Sequence, residues 1–315
     1  MARRRAASWD HSEGADHDQG QRSAAFDPHL PLPAFDPGTV CLRVVAGAHS
    51  VELAIKETPP LSVVWESGAL VCSILQHAPF VRRSAGKLLR GIKLLDLGAG
   101  TGISALCAAA LGADVVATEV PHALPTLRRN FAANIGRINE FQAALSGADA
   151  EKQPSWAANT SGAAGCEQET APGQSRKSES ESKSASRLQQ LHACSLPWSL
   201  QHTAAEGALP LLPPYDIVVA ADTLYPTESH KLLAATLART AGAECTVLLV
   251  FPVRTGKELD FLEVAAPMFR IERIDALPFC SNPASLPLRE PADMERLRAL
   301  HVYVLTRRAG GSLGQ

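Results

Sequence analysis

A chain of 315 residues that is 46% hydrophobic has enough apolar material for one large domain or two small ones. Its formal net charge is −2, with both signs scattered, so no strong basic field is available to hold a polyanion and there is no strong nucleic-acid signal. Seven cysteines stand singly at 41, 72, 107, 166, 194, 245 and 280, without a Cys-x-x-Cys pair or a Cys/His cluster; this offers no metal site and fits a reducing compartment, the cytoplasm first and the nucleus second.

Residues 1–38 are polar and proline-punctuated, and read as a disordered tail. The opening MARRR is followed quickly by Asp10, Glu13, Asp16 and Asp18, which a transit peptide would lack. His11 and His17 in this tail read as solvated. No apolar run approaches the roughly 20 residues that span a bilayer, so no membrane segment is expected. VCLRVV (40–45) and VELAI (51–55) are β-rich runs around a glycine turn and predict a hairpin. In WESGALVCSILQHAPFV (65–81), Leu70, Val71, Ile74 and Leu75 recur at helical spacing. The basic residues that follow, Arg82, Arg83, Lys87, Arg90 and Lys93, read as a solvated helix flank.

IKLLDLGAGTGISALCAAALGADVVATEV (92–120) reads as strand, glycine turn, helix to Gly112 and strand, which is one βαβ unit of a parallel sheet. LPTLRRNFAANI (124–135) is a helix with Leu124, Leu127, Phe131 and Ile135 on one face. Residues 146–187 are poor in apolar side chains and rich in Ser, Gly, Ala and Glu; the composition predicts a disordered insertion in a surface loop. The alternation resumes with LQQLHACSL (188–196), YDIVVAAD (215–222), a helix over 227–241, ECTVLLVFPV (244–253) and a helix over 257–268. Strands FRIERID (269–275) and HVYVLTRR (301–308) follow, and then a flexible C-terminus, 309–315. The last two strands are joined by a proline-broken loop without a strong crossover helix, so an antiparallel pairing at the sheet edge is expected. The prediction is one α/β domain over 39–308, a doubly wound Rossmann-like sheet of about seven strands with an antiparallel edge strand and an N-terminal β-hairpin.

LLDLGAGTG (94–102) sets Asp96 at a strand end and glycines at 98, 100 and 102 in the turn before a helix. Gly98 suits a tight turn, and Gly100 lets a ligand approach the backbone. A dinucleotide site wants G-x-G-x-x-G; here the third glycine comes one place early and Ile103 holds the sixth position, so the turn suits a smaller nucleoside ligand. Glu119 ends the next strand, placed to accept both hydroxyls of a ribose. On this motif alone, a nicotinamide ligand and S-adenosylmethionine both stand.

Further along, VVWESGALVCSIL (63–75), SLPW (195–198) and VVAADTLY (218–225) join that loop in an order and spacing that resembles the seven-strand protein-lysine methyltransferases, from about residue 40 to 308 apart from the insertion. That family carries a tryptophan motif before the glycine loop and an Asp-x-x-Tyr after the fourth strand. The resemblance implies S-adenosylmethionine as cofactor and a protein lysine as acceptor; for the oligomeric state, which the sequence leaves open, a monomer is the default expectation. It implies that Trp65 lies against the methionine end of the cofactor, that Gly98 and Gly100 pass close beneath it, that Glu119 takes the ribose and that Trp198 flanks the adenine. Asp96 and the small Ala221 complete the cofactor-binding set. Two places depart from the family pattern: Glu66 follows Trp65 where Asp or Pro is usual, and SLP precedes Trp198 where an acid is usual.

Two tyrosine signals compete in PPYDIVVAADTLY (213–225). Pro213-Pro214-Tyr215 resembles the active-site tripeptide of methyltransferases that act on nucleic-acid bases. It precedes the strand, whereas ligands of open parallel sheets bind beyond the strands' carboxyl ends. Asp222-Thr223-Leu224-Tyr225 follows the strand and is the expected catalytic pair, Asp222 to orient the amine and Tyr225 to wall the site. Asp222 could also cap the following helix, and Arg254, after the next strand, could line the acceptor channel. A small-molecule amine or a protein histidine is the alternative acceptor. A nicotinamide-dependent enzyme and a binding module with a decayed site are the remaining rivals.

Overall fold

The computed structural model describes residues 38–59, 62–78, 88–151, 190–225, 227–280 and 291–310. The expectations for the tail before Gly38, for most of the insertion and for the last five residues lie outside them, as do His11, His17, Arg82, Arg83 and Lys87. Strands β1 (Thr39–Ala46) and β2 (His49–Lys56) form the predicted hairpin, pairing antiparallel with Ala46 opposite His49. The chain continues through α1 (Glu66–His77), β3 (Lys93–Leu97), α2 (Ile103–Ala110), β4 (Asp114–Thr118) and α3 (Leu124–Glu151). It then forms β5 (Leu191–Cys194), the single turn α4 (Ala204–Gly207), β6 (Tyr215–Ala221), α5 (His230–Thr240) and β7 (Ala241–Phe251). The last elements are α6 (Asp260–Ala265), β8 (Phe269–Ile274), α7 (Pro291–Arg298) and β9 (His301–Arg307).

Seven strands make one sheet in the order β5-β4-β3-β6-β7-β9-β8. The inner strands read as continuous apolar runs because both faces of the sheet are covered. Successive side chains serve opposite faces. Leu94, Ile217, Val219, Leu248 and Val250 join one core with the hairpin and α1 to α3. Leu95, Leu97, Val218, Ala220, Val247 and Leu249 join a second core that includes α5 and α6.

The last two strands pair antiparallel at the sheet edge, as expected, with β8 outermost. β9 lies between β7 and β8 and runs antiparallel to both. Composition explains the placement. Arg270, Glu272 and Arg273 of β8 are exposed, which suits an edge. Val302, Tyr303 and Leu305 of β9 are buried and need cover on both sides. The connection read as lacking a crossover helix contains α7, which packs against α1.

α3 also differs from the sequence reading. It runs to Glu151, past the helix read over 124–135 and into the stretch read as an insertion; Ile138, Phe141 and Leu145 prolong its buried stripe as far as 145, while Ile135 is exposed. The same helix stands in for a third strand beside the hairpin. Asn134 accepts from the Ala54 N–H (2.9 Å) and donates to the Ala54 carbonyl (2.8 Å). Asn130 does the same with Lys56 (3.0 and 2.9 Å), and its amide also donates to the Thr101 carbonyl (2.9 Å). One side chain thereby ties the hairpin to the glycine turn.

Candidate active site

After β3 the chain goes outward through β4 and β5, then returns to lay β6 on the other side of β3. The strand order reverses there, and a crevice opens beyond the carboxyl ends of β3 and β6. A cavity of about 320 Å³ occupies it. Gly98, Thr118 to Val120, Leu196 to Trp198, Asp222, Thr223, Tyr225, Ser229 and Leu232 line it.

The glycine turn holds its shape for steric reasons. Gly102 precedes α2 at φ +82°, and a β-carbon there would come within 2.4 Å of Leu127 Cδ1 and 2.8 Å of Phe131 Cε1. Gly98, at φ +69°, lies so close to the β6 loop that a β-carbon would stand 3.1 Å from Thr223 Cγ2. Glu119 fastens the turn from β4: its carboxylate accepts the Gly100 N–H (2.7 Å) and the Val120 N–H (2.8 Å). Each oxygen keeps a second lone pair for a further donor.

Asp96 does not line the cavity. It is 1% exposed and accepts the Ser104 hydroxyl at 2.7 Å, so it supports the start of α2 from beneath the turn. Burial pushes its carboxyl up to about 7; the Ser104 bond opposes this and the charge of Glu119 adds to it. Ala221 also stays off the cavity wall. It pairs in register with Val250 and packs against the hairpin-side core.

Trp198 is half-buried, packs on the second core and lines the cavity. Trp65 is 47% exposed at the start of α1, which rules out a core aromatic. Its ring lies 5.8 Å from the Arg254 guanidinium. Arg254 in turn grips Asp222 with both arms, Nη1 to Oδ1 at 2.6 Å and Nη2 to Oδ2 at 2.7 Å. That contact raises the Arg254 pKa above its ordinary value, against a smaller opposing effect of burial. Asp222 has φ +56°, a region that Asp tolerates better than most residues, and its N–H donates to the Val250 carbonyl at 2.8 Å. It caps no helix, since α5 begins after Ser229. Tyr225 is 73% exposed at the cavity mouth, on an irregular segment and not one helical turn from Asp222.

Thr223 was not legible as a site residue from sequence. Its hydroxyl is buried on the cavity wall with no hydrogen-bond partner. Thr223 fills one of the two unspecified positions of Asp222-x-x-Tyr225, where residue type carried no signal. Pro213-Pro214-Tyr215 lies at the other end of β6, where Tyr215 is 1% exposed and donates its hydroxyl to the Leu211 carbonyl. The basic cluster is not a helix flank where it is described: Arg90 sits in a turn and donates to Ser146 (3.2 Å), and Lys93 opens β3 and donates to the Leu212 carbonyl (2.9 Å). Among the described residues no three His, Cys, Asp or Glu side chains converge as a metal site, and no helix is long and apolar enough to cross a membrane.

Comparison with known proteins adds a family. A family model described as lysine methyltransferase matches residues 50–147 and 182–267. EEF1A lysine methyltransferase 3 of Xenopus tropicalis is 36% identical over 93 residues, 29% of this chain and 38% of that protein. Its Mus musculus counterpart is 24% identical over 211 residues, 66% of this chain and 64% of that protein. Protein N-lysine methyltransferase METTL21A of Xenopus tropicalis is 34% identical over 89 residues, 28% of this chain and 38% of that protein. The chain thus covers less than two thirds of each of these relatives.

Proposed function

The chain belongs to the lysine methyltransferase family, and we propose that it is an S-adenosylmethionine-dependent enzyme that methylates the side-chain amine of a lysine in a protein substrate. The observation that carries this reading is the convergence of Gly98, Glu119 and Asp222, from three different strands, on one cavity at the switch point of the sheet.

The residues fit the cofactor. At Gly100 a β-carbon would point into open space, so the absent side chain leaves room for a ligand against the backbone. An unpartnered buried hydroxyl costs about 1–3 kcal/mol, and Thr223 offers one on the cavity wall. Glu119 would take the ribose, Trp198 the adenine face, and Trp65 would lie toward the methionine end. When bound, S-adenosylmethionine supplies a methyl group on a positively charged sulfonium.

The chain's own task is alignment. In-line displacement needs the acceptor nitrogen's lone pair directed at the methyl carbon and water kept out. Lysine, with a solution pKa of about 10.4, must first lose a proton. Asp222 would accept an N–H of the amine and aim it, while the proton leaves to water; Tyr225 would close the mouth. The amine's lone pair would form the new N–C bond, and the cofactor would supply the methyl group by keeping the S–C bonding pair on its sulfur. Among the described residues Cys41, Cys72, Cys107, Cys194, Cys245 and Cys280 are reduced cysteines, which supports a reducing compartment that we take to be the cytoplasm.

The test is transfer of labelled methyl from S-adenosylmethionine to a whole-cell protein extract, resolved on a gel and acid-hydrolysed. We expect a labelled band that yields methyl-lysine, and no label with Asp222→Ala although that variant still binds S-adenosylmethionine. Methyl-histidine, or cofactor binding without any protein label, would replace the lysine acceptor by a histidine or a small amine. Turnover by Asp222→Ala would remove its role.

A further inference from the structure

We infer that Arg254 sets the charge state of the acceptor amine by neutralising Asp222, an inference that rests on the lysine-methyltransferase reading above. The side chain of Asp222 is only 8% exposed, so its charge is poorly screened. Left alone beside an amine, such a carboxylate favours the ammonium form, because an opposite charge within about 4–6 Å stabilises the charged state. An ammonium has no lone pair and cannot attack. Asp222 by itself would therefore bind the acceptor in its unreactive form.

The fork of Arg254 removes that difficulty. Both carboxylate oxygens are held, at 2.6 and 2.7 Å, in the parallel two-bond geometry that Arg alone provides. One lone pair on each oxygen is used. The other remains free to accept an N–H from a neutral amine. The pair as a whole presents a hydrogen-bond acceptor with almost no net charge. The guanidinium is also held on its other side by the Trp65 ring, so the same tryptophan that the resemblance assigns to the cofactor supports the acceptor site.

The charged groups around the pair leave this balance intact. Glu66 on α1 acts on Arg254 at longer range but is bonded to Arg296 of α7, which also engages Asp293. Glu258, in the turn after β7, accepts the Thr255 N–H and hydroxyl at 3.2 and 3.1 Å. Across the cavity, Glu119 is engaged with the glycine turn. His230 of α5 is buried against the Leu224 carbonyl, and Tyr225 stands at the mouth. Among the described residues the Arg254 guanidinium is hydrogen-bonded to Asp222 and to neither glutamate; Glu258 bonds the Arg254 backbone N–H and acts on the guanidinium only at longer range. Arg254 is a positioning residue in this scheme: it acts through Asp222.

The experiment is the pH dependence of kcat for the purified protein whose band the wild type labels, at saturating S-adenosylmethionine, in wild type, Arg254→Gln and Arg254→Lys. The rate rises with pH as the bound acceptor loses its proton. In Arg254→Gln we expect that rise to move up by about one pH unit, the low end of the usual range for a nearby charge. The rate then falls about tenfold at pH 7.5 and recovers by about pH 10. Arg254→Lys keeps the charge and should keep the wild-type limb. S-adenosylmethionine affinity, measured by calorimetry, should stay within about twofold in both variants. A loss by the same factor at every pH, an unshifted limb, or a parallel loss of cofactor affinity would each overturn the inference. Absence of methyl-lysine with the wild type would instead overturn the functional reading beneath it, before any variant is compared.

Discussion

Replacing Asp96 by Asn probes the buried support of the glycine turn through its pH dependence. Asp96 is fully enclosed, and burial is the main cause that lifts its carboxyl from 3.8 to about 7. A folded pKa above the unfolded one means that the native state binds more protons between the two values, so this group's contribution to stability falls as pH rises. Below about pH 4 the carboxyl is neutral in both states and costs nothing; above about pH 7 the native state must hold an ionised, buried carboxylate. The gap of about three units, at 1.36 kcal/mol each, amounts to about 4 kcal/mol in full, of which about 2.5 kcal/mol falls between pH 5 and 7.5. Asp96→Asn keeps an acceptor for the Ser104 hydroxyl and carries no charge. Urea unfolding of both proteins at pH 5, 6, 7 and 8 gives the difference directly. Glu206 and Glu258, whose pKa values are lowered, lose their contributions as pH falls, but equally in both proteins. The stability of Asp96→Asn relative to wild type should rise by about 2.5 kcal/mol from pH 5 to 7.5 and then level off. A constant offset from the new amide does not matter. A difference that is flat across the whole range would refute the reasoning.

Gly102→Ala should destabilise by about 2–5 kcal/mol, from the left-handed backbone and the overlap with Leu127 and Phe131. Gly136→Ala, in the exposed middle of α3 with open space around it, should stabilise by about 0.5–1 kcal/mol. Urea midpoints that move the same way in both would contradict the account of the turn. Tyr215→Phe removes the hydroxyl bond to the Leu211 carbonyl and should cost about 1 kcal/mol of stability. Its methyl-transfer rate should match wild type; a large drop in kcat would return the catalytic role to the Pro-Pro-Tyr segment.

Local physics made much of the fold legible. An apolar run ending in Asp96-Leu97-Gly98 can be little other than a buried strand meeting a tight turn, and the stripe from Leu124 to Phe131 marks a helix whatever it packs against. A strand also has a direction, so chain order alone sets Asp222 rather than Tyr215 at the ligand edge. What the sequence left open concerns partners distant along the chain. Strand order is one case: that β9 enters between β7 and β8 depends on which of two late strands tolerates an exposed edge, a comparison of FRIERI with HVYVLTR that means nothing until both compete for one sheet. Asn130 and Asn134 read as ordinary helix residues until the bare edge of β2 lies beside them. Trp65 would be taken for core by residue type, yet the start of α1 lies at the surface and the ring finds a cation. Asp222 and Arg254 are 32 residues apart; strand order sets both at the ligand edge, but nothing near either one signals the bond between them. Periodicity and turn chemistry act over a few residues, so sequence alone determined most of the elements, though not α7 or the full length of α3, and the end of the sheet at which the proposed site lies. Charge pairing, exposure and an unpartnered hydroxyl are properties of surfaces brought together, and only the tertiary structure decided them.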